Sequence, residues 1–236
     1  MKIGIMQPYF FPYLGYFSLI KHTDRFILFD PVQFIKHGWI ERNRILKQGG
    51  WTYVAVPLQK HTRETIIKDI LIRPENWQDK LLAQMTFYKK RAPFYNQTLD
   101  VVKQGISCSA TDITQLNAHV LQTVCDYLGI NFKAEIFSKM QLEIEAPTAP
   151  DEWALNICKA LGNVDSYWNP PGGITFFDRD KYQKAGINLV FQKINLQPYS
   201  QRGLADAFVP GLSIIDVMMF NSPEEINKML DNYNKL

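Results

Sequence analysis

The chain has 236 residues, 46% of them hydrophobic and 21% charged, with a formal net charge of +3. That composition supports a sizeable core and excludes a disordered or fibrous chain. The mild positive balance suits an anionic small molecule, but no run of Lys and Arg stands out, so no nucleic-acid partner is expected.

In chain order, Lys2 to Met6 reads as a short buried strand, ended by Gln7-Pro8. Gly15 to His22 reads as a short helix and Arg25 to Asp30 as a second apolar strand. Strand, aromatic loop, helix and strand together predict a βαβ unit with a parallel pair. Trp51 to Leu58 alternates as a strand does, and Ile66 to Ile72 is a weaker strand pattern. From Trp77 the period becomes helical, through Leu81, Met85 and Tyr88. Ile113, Leu116, Val120, Val124 and Leu128 repeat that stripe, with Gly129 as its stop. Phe132 to Phe137 suits a strand, and Pro147 to Pro150 a turn before a helix through Leu161. Val164 to Trp168 and Ile187 to Lys193 read as strands, with a short helix at Asp178 to Lys184 between them. Ser213 to Phe220 and Pro223 to Leu230 are helical, with Ser222 as an N-cap.

Strands at both ends and helices in the middle predict a Rossmann-like, three-layer α/β fold with a mainly parallel sheet. The expected organisation is a single domain over residues 1–236 with a helical section inserted at about 74–131. Cys108, Cys125 and Cys158 form no CxxC pair and fit reduced thiols, with Cys125 and Cys158 in apolar helical patterns. The first apolar run is cut short at Gln7-Pro8, and the aromatic stretch Tyr9 to Ile20 is too short to span a bilayer. A cytoplasmic location without a transmembrane segment is therefore expected. His22, His37, His61 and His119 have no ligand spacing, so no metal is expected.

Two stretches concentrate chemistry-bearing residues. Gln7-Pro8-Tyr9-Phe10-Phe11-Pro12-Tyr13-Leu14-Gly15-Tyr16 follows the first strand, where ligands gather in open parallel sheets. Prolines stiffen it, and Gln7, Tyr9 and Tyr13 add polar groups that a hydrophobic plug does not need. Asp30 to Trp39 follows the second strand and supplies the opposite wall of the same pocket. Asp30 can accept a proton, while Lys36 and His37 can neutralise a phosphate or transfer a proton. Gln33 and Trp39 line this wall. Arg42-Asn43-Arg44 adds two guanidinium forks suited to phosphate or carboxylate, although a solvated helix face would look the same. Asp216 stands in an otherwise apolar helix, so it either pairs or faces the site. Asn169-Pro170-Pro171-Gly172-Gly173 reads as a strand-end turn. GxGxxG, HExxH and GxSxG are absent.

The opening QPYFFPYLGYFSLI, followed by DRFILFDPVQFIKHGWIERNRI, resembles the signature of the WbqC-like family. ICKALG at Ile157 to Gly162, FFDRDKYQKAGI at Phe176 to Ile187, PYSQ at Pro198 to Gln201 and LSIIDVMMFN at Leu212 to Asn221 extend the resemblance over nearly the whole chain. It implies a place in bacterial surface-polysaccharide (O-antigen) biosynthesis, as a glycine-type aminoacyl or acyl transferase acting on an amino sugar or sugar nucleotide. In that reading Lys36, Arg42 and Arg44 hold an anionic nucleotide or activated acyl donor. Asp30 or His37 takes the proton of the attacking amine, and Gln7, Tyr9, Tyr13 and Gln33 align the acceptor. The layout is also similar to that of pantothenate-synthetase-like nucleotidyltransferases, although the paired HxGH histidines are absent. Two other readings stay open: an ATP-using nucleotidyltransferase or ligase, and a non-enzymatic binding or assembly protein.

Overall fold

A computed structural model describes residues 1–203 and 207–236. The chain begins with β1 (Lys2–Met6), α1 (Leu14–Lys21) and β2 (Arg25–Leu28), and β1 and β2 pair in parallel. A hairpin follows, β3 (Arg42–Lys47) and β4 (Gly50–Ala55), and then α2 (Gln78–Met85), α3 (Tyr95–Ile106) and α4 (Ile113–Leu128). Gly129 ends α4 with a left-handed φ of 67°, a conformation that glycine reaches without steric cost. The remaining elements are β5 (Glu135–Ile136), α5 (Glu152–Leu161), β6 (Ser166–Asn169), α6 (Arg179–Lys184), β7 (Asn188–Ile194), α7 (Ile214–Phe220), α8 (Pro223–Leu230) and β8 (Tyr233–Lys235). None of the helices described is long and apolar enough to cross a membrane.

The main sheet runs β5-β2-β1-β6-β7-β8, parallel throughout except for the terminal β7–β8 pair. Strand periodicity sends alternate side chains to opposite faces, and both faces are covered. Ile3, Ile5, Ile27, Tyr167, Leu189 and Phe191 pack against Leu155, Cys158 and Tyr182 of α5 and α6. Phe26, Leu28, Trp168 and Val190 instead join the larger core formed with α1, α4, α7 and α8. The chain is thus a mixed α/β fold with a mostly parallel central sheet. Arg25 fastens edge strand β5 through a forked pair of bonds to Glu135, at 2.8 and 2.5 Å.

Several elements depart from the sequence pattern. Residues 42–47 form strand β3 rather than a helix face, because RNRILK pairs residue for residue with 50–55. Ile66 to Ile72 is a 3₁₀ turn at Ile67–Asp69 rather than a continuous strand. Its amides bond to the carbonyls of Asp30 and Val32 instead of a neighbouring strand. Helix α3 and strand β8 were not legible as periodic runs.

Candidate functional site

Strand order turns outward between β1 and β6, since the chain moves from β1 to β2 on one side and returns to β6 on the other. In open parallel sheets that crevice, beyond the strand C-termini, is where ligands bind. A cleft of about 690 Å³ lies there. Gln7 and Tyr9 from the loop after β1, Gln33 after β2, and Asn169 at the end of β6 all line it. Its aromatic and apolar walls include Phe29, Trp153, Tyr167 and Phe177, and among the described residues none of its lining side chains is charged. Ile35 and Phe176 stand at its mouth, 64% and 51% exposed.

Local bonds fix the walls of this strand-end cleft. The Asn169 amide donates to the Tyr167 hydroxyl at 2.6 Å. A Cβ at Gly173 would sit 2.6 Å from Asn169 Oδ1 and 2.8 Å from the Phe177 ring, so the turn after β6 has no room for a side chain. The rim at Thr148 to Pro150 is held by Glu152, whose carboxylate accepts from the Thr148 amide and hydroxyl, both at 2.7 Å. Lys181 and those Thr148 bonds lower the Glu152 pKa to about 2.

A second cleft, about 950 Å³, adjoins the first and shares Gln33 and Ile35 with it. It is basic. Lys36, Arg42, Lys60, Arg63 and Arg73 line it with His37 and His61, against Glu41 as the sole acidic member among the described residues. Arg42 lies over the Tyr53 ring, 3.9 Å from its centroid, and donates to the His37 carbonyl at 2.5 Å. The His37 amide donates to Glu41 Oε1 at 2.7 Å, and His37 holds a left-handed φ of 65°. Such a backbone is uncommon for a non-glycine residue and is stored where the surroundings enforce it. Glu41 Oε2 and Arg42 Nε are buried without partners among the described residues.

The aromatic loop between β1 and α1 divides into two roles. Phe10, Phe11 and Tyr16 are fully buried and plug the core. The carbonyls of Gln7, Pro8, Phe10, Phe11 and Pro12 are all gripped. Tyr16 donates to Gln7, Asn117 to Pro8, Asn43 to Phe10 and Ser213 to Phe11, while the Ile214 amide donates to Pro12. Phe11 is held at a φ of 38° within this frame. Tyr9 and Tyr13 remain half-buried, and burial raises the pKa of both.

Of the residues that the sequence singles out, Gln7, Tyr9 and Gln33 share the strand-end cleft, and Gln33, Lys36, His37 and Arg42 share the basic one. Tyr13, Trp39, Asn43 and Arg44 line a third cleft of about 370 Å³, again with Tyr9. The expected single pocket is therefore three adjoining ones. Arg42 and Arg44 share one face of β3 but stand about 7 Å apart along the strand and serve different clefts.

Two carboxylates do not fit the expected roles. Asp30 is 0% exposed and lines none of these clefts. Its oxygens accept from the Ser138 amide at 3.0 Å and the Ser138 hydroxyl at 2.6 Å, so it anchors the segment after β5 and is not placed to take a substrate proton. Asp216 is likewise 0% exposed. It accepts from Tyr88 at 2.7 Å, Tyr199 at 2.5 Å and Gln201 at 3.0 Å, which joins α7 to the Pro198–Gln201 segment instead of reaching a substrate. Desolvation raises its pKa to about 6, against the opposing effect of those bonds.

The WbqC-like protein family matches residues 7–228, beginning at the glutamine that opens the strand-end loop. The chain belongs to this family. It is also 27% identical to the uncharacterized protein Rv1507c of Mycobacterium tuberculosis over 223 residues, 93% of each chain. No solved structure matches it.

In this WbqC-like chain, sequence reasoning missed Trp153, Thr148 and Phe176 as cleft residues, and Asn117 and Ser213 as the clamps of the loop. Asn117 did leave a signal. A lone amide in the apolar stripe of α4 must find buried partners, and it donates to the carbonyls of Pro8 and Ile40 at 2.8 and 2.9 Å.

Proposed function

We propose that the chain is a group-transfer enzyme acting on a nucleotide-linked sugar, with a Rossmann-like use of its sheet edge. The observation that supports this reading is the junction of an uncharged cleft and a basic one at Gln33 and Ile35. The amides of Gln7, Gln33 and Asn169 and the Thr148 hydroxyl, set among aromatic rings, suit a neutral ring that carries hydroxyl or amide groups. Lys36, Arg42 and the three further cations of the basic cleft suit the diphosphate and nucleoside.

The family resemblance adds the reaction class: transfer of an acyl or aminoacyl group from an activated donor to an amino group of the sugar, in bacterial surface-polysaccharide synthesis. His37, exposed on the basic cleft, is the candidate to receive the amine proton once Asp30 is removed from that role. Lys36 offsets developing negative charge. Alignment and charge neutralisation supply much of the acceleration when the donor arrives activated.

A thermal-shift panel of inorganic pyrophosphate, nucleoside diphosphates and sugar nucleotides tests the reading, because ligands that bind the native state raise its melting temperature. The expected order is sugar nucleotide above nucleoside diphosphate above pyrophosphate. Gln7→Ala should remove only the increment due to the sugar. A panel in which none of these compounds moves the melt counts against the proposal.

A further inference from the structure

The third cleft has a chemistry unlike that of the other two. Met6, Pro12, Trp39, Pro170 and Leu196 make most of its wall apolar, and among the described residues its only charged lining side chain is Arg44. The Arg44 guanidinium is preset. It lies 5.4 Å from the Trp39 ring centroid and 5.2 Å from that of Trp51, and it donates to the Gly211 carbonyl at 3.1 Å. Its backbone is fixed as well, since the amide donates to Asn43 Oδ1 and the carbonyl accepts from Ser213, both at 2.9 Å. Yet Arg44 has no ion pair among the described residues, and its Nε is buried without a partner.

A guanidinium held rigidly beside an apolar slot, with no carboxylate against it among the described residues, lacks a planar anion. Phosphate fits poorly, because among the described residues a single cation faces the slot and its walls are mostly apolar, whereas the basic cleft presents five cations. A carboxylate on an apolar body matches both parts: two oxygens for the fork, and a hydrocarbon or ring for Trp39, Leu196 and the prolines. The volume of about 370 Å³ takes a molecule the size of an amino acid or a small aromatic acid.

We infer that the third cleft is a binding site for a small carboxylate with an apolar body, anchored by Arg44. It shares Met6 and Tyr9 with the strand-end cleft, so its occupant lies one side chain away from whatever fills that cleft. That the neighbour is a sugar rests on the function proposed above; the carboxylate site itself does not.

The test is a calorimetric and tryptophan-fluorescence titration of the full chain with phenylacetate, using 2-phenylethanol as the uncharged control. Phenylacetate should bind saturably at millimolar concentration and 2-phenylethanol should not. Arg44→Gln should weaken phenylacetate about 10- to 100-fold, the range for loss of a charge-assisted contact. Arg42→Gln, in the basic cleft, should leave it unchanged. Leu196→Trp, which narrows the slot from its apolar wall and keeps the arginine, should block phenylacetate and decides the matter if Arg44→Gln does not fold. No saturable binding to the parent, equal binding of the alcohol, an equal loss in Arg42→Gln, or full affinity in Leu196→Trp would each overturn the inference. A parallel titration with uridine diphosphate keeps the two readings separate, because its failure bears on the sugar-nucleotide function and leaves the phenylacetate result standing.

Discussion

Removing the Asp30 carboxylate should cost stability before it costs chemistry. Asp30 sits at the end of β2 with no exposed surface, and Ser138 sends it two hydrogen bonds, from its amide at 3.0 Å and its hydroxyl at 2.6 Å. Asp30→Ala removes the acceptor of both bonds and leaves a gap where the buried carboxylate was, although water can reach the exposed Ser138. At roughly 1.5–3 kcal/mol for each hydrogen bond to the carboxylate, partly offset by hydration of the exposed serine, the expected loss is about 3 kcal/mol. For a chain of this length that lowers the melting temperature by about 6–12 °C. Asp30→Asn is milder: its oxygen can face the amide, its nitrogen can donate to a turned hydroxyl, and only the charge assistance is lost, about 1 kcal/mol. Differential scanning calorimetry of both variants, with Ser138→Ala and the double mutant, closes a thermodynamic cycle. Because the two residues touch, the double mutant should be more stable than the summed single effects predict, by at least about 0.5 kcal/mol. If Asp30→Ala melts with the parent and the effects simply add, Asp30 is not the anchor described here.

Other expectations follow from the same geometry. Asp216 has a folded pKa of about 6, raised from 3.8 by burial, so the native state binds more protons than the unfolded chain between those values. Stability should therefore fall as pH rises, by about 1.5 kcal/mol from pH 4.5 to 6, and Asp216→Asn should flatten that slope in urea midpoints. Glu152, lowered to about 2, acts in the opposite direction, mainly below its ordinary value of 4.5, so that only the tail of its effect enters that window. Gly173→Ala should destabilise the fold by about 1–3 kcal/mol and shift the environment of the nearby tyrosines in near-ultraviolet dichroism, because its Cβ meets Asn169 and Phe177. Cys125 and Cys158 are buried, and burial pushes the Cys158 thiol up to about 12. A disulfide reagent should therefore titrate only Cys108 in the native chain and all three thiols in denaturant.

The parallel sheet was legible because β1, β2 and β7 carry short apolar runs and Val164 to Trp168 marks β6, and a strand buried on both faces needs little else to announce it. The long stripe of α4 and the Ser222 cap of α8 were legible for similar local reasons. Strand β3 was not, since RNRILK acquires its structure from pairing with 50–55, a contact that no short window records. The loops at 7–16 and 30–39 were readable as strand-end walls, and β1 and β2 do bring them to one edge of the sheet. The roles of Asp30 and Asp216 were not readable. Their partners, Ser138 and the Tyr88–Tyr199–Gln201 set, come from distant parts of the chain, and an acid beside an apolar run looks the same whether it faces a substrate or a serine. Likewise, two arginines spaced two apart read as one phosphate clamp until the hairpin directs them to separate clefts.

The proposed function rests on one molecule spanning the uncharged and basic clefts. Isothermal titration of sugar nucleotides into the parent chain, Arg42→Gln and Gln7→Ala examines that directly. The account predicts saturable binding of at least one sugar nucleotide to the parent, weakened about 10- to 100-fold by Arg42→Gln through lost phosphate contacts. Gln7→Ala should weaken the same ligand yet leave binding of the matching nucleoside diphosphate unchanged. Binding that is indifferent to both substitutions, or no binding by any sugar nucleotide, would contradict it.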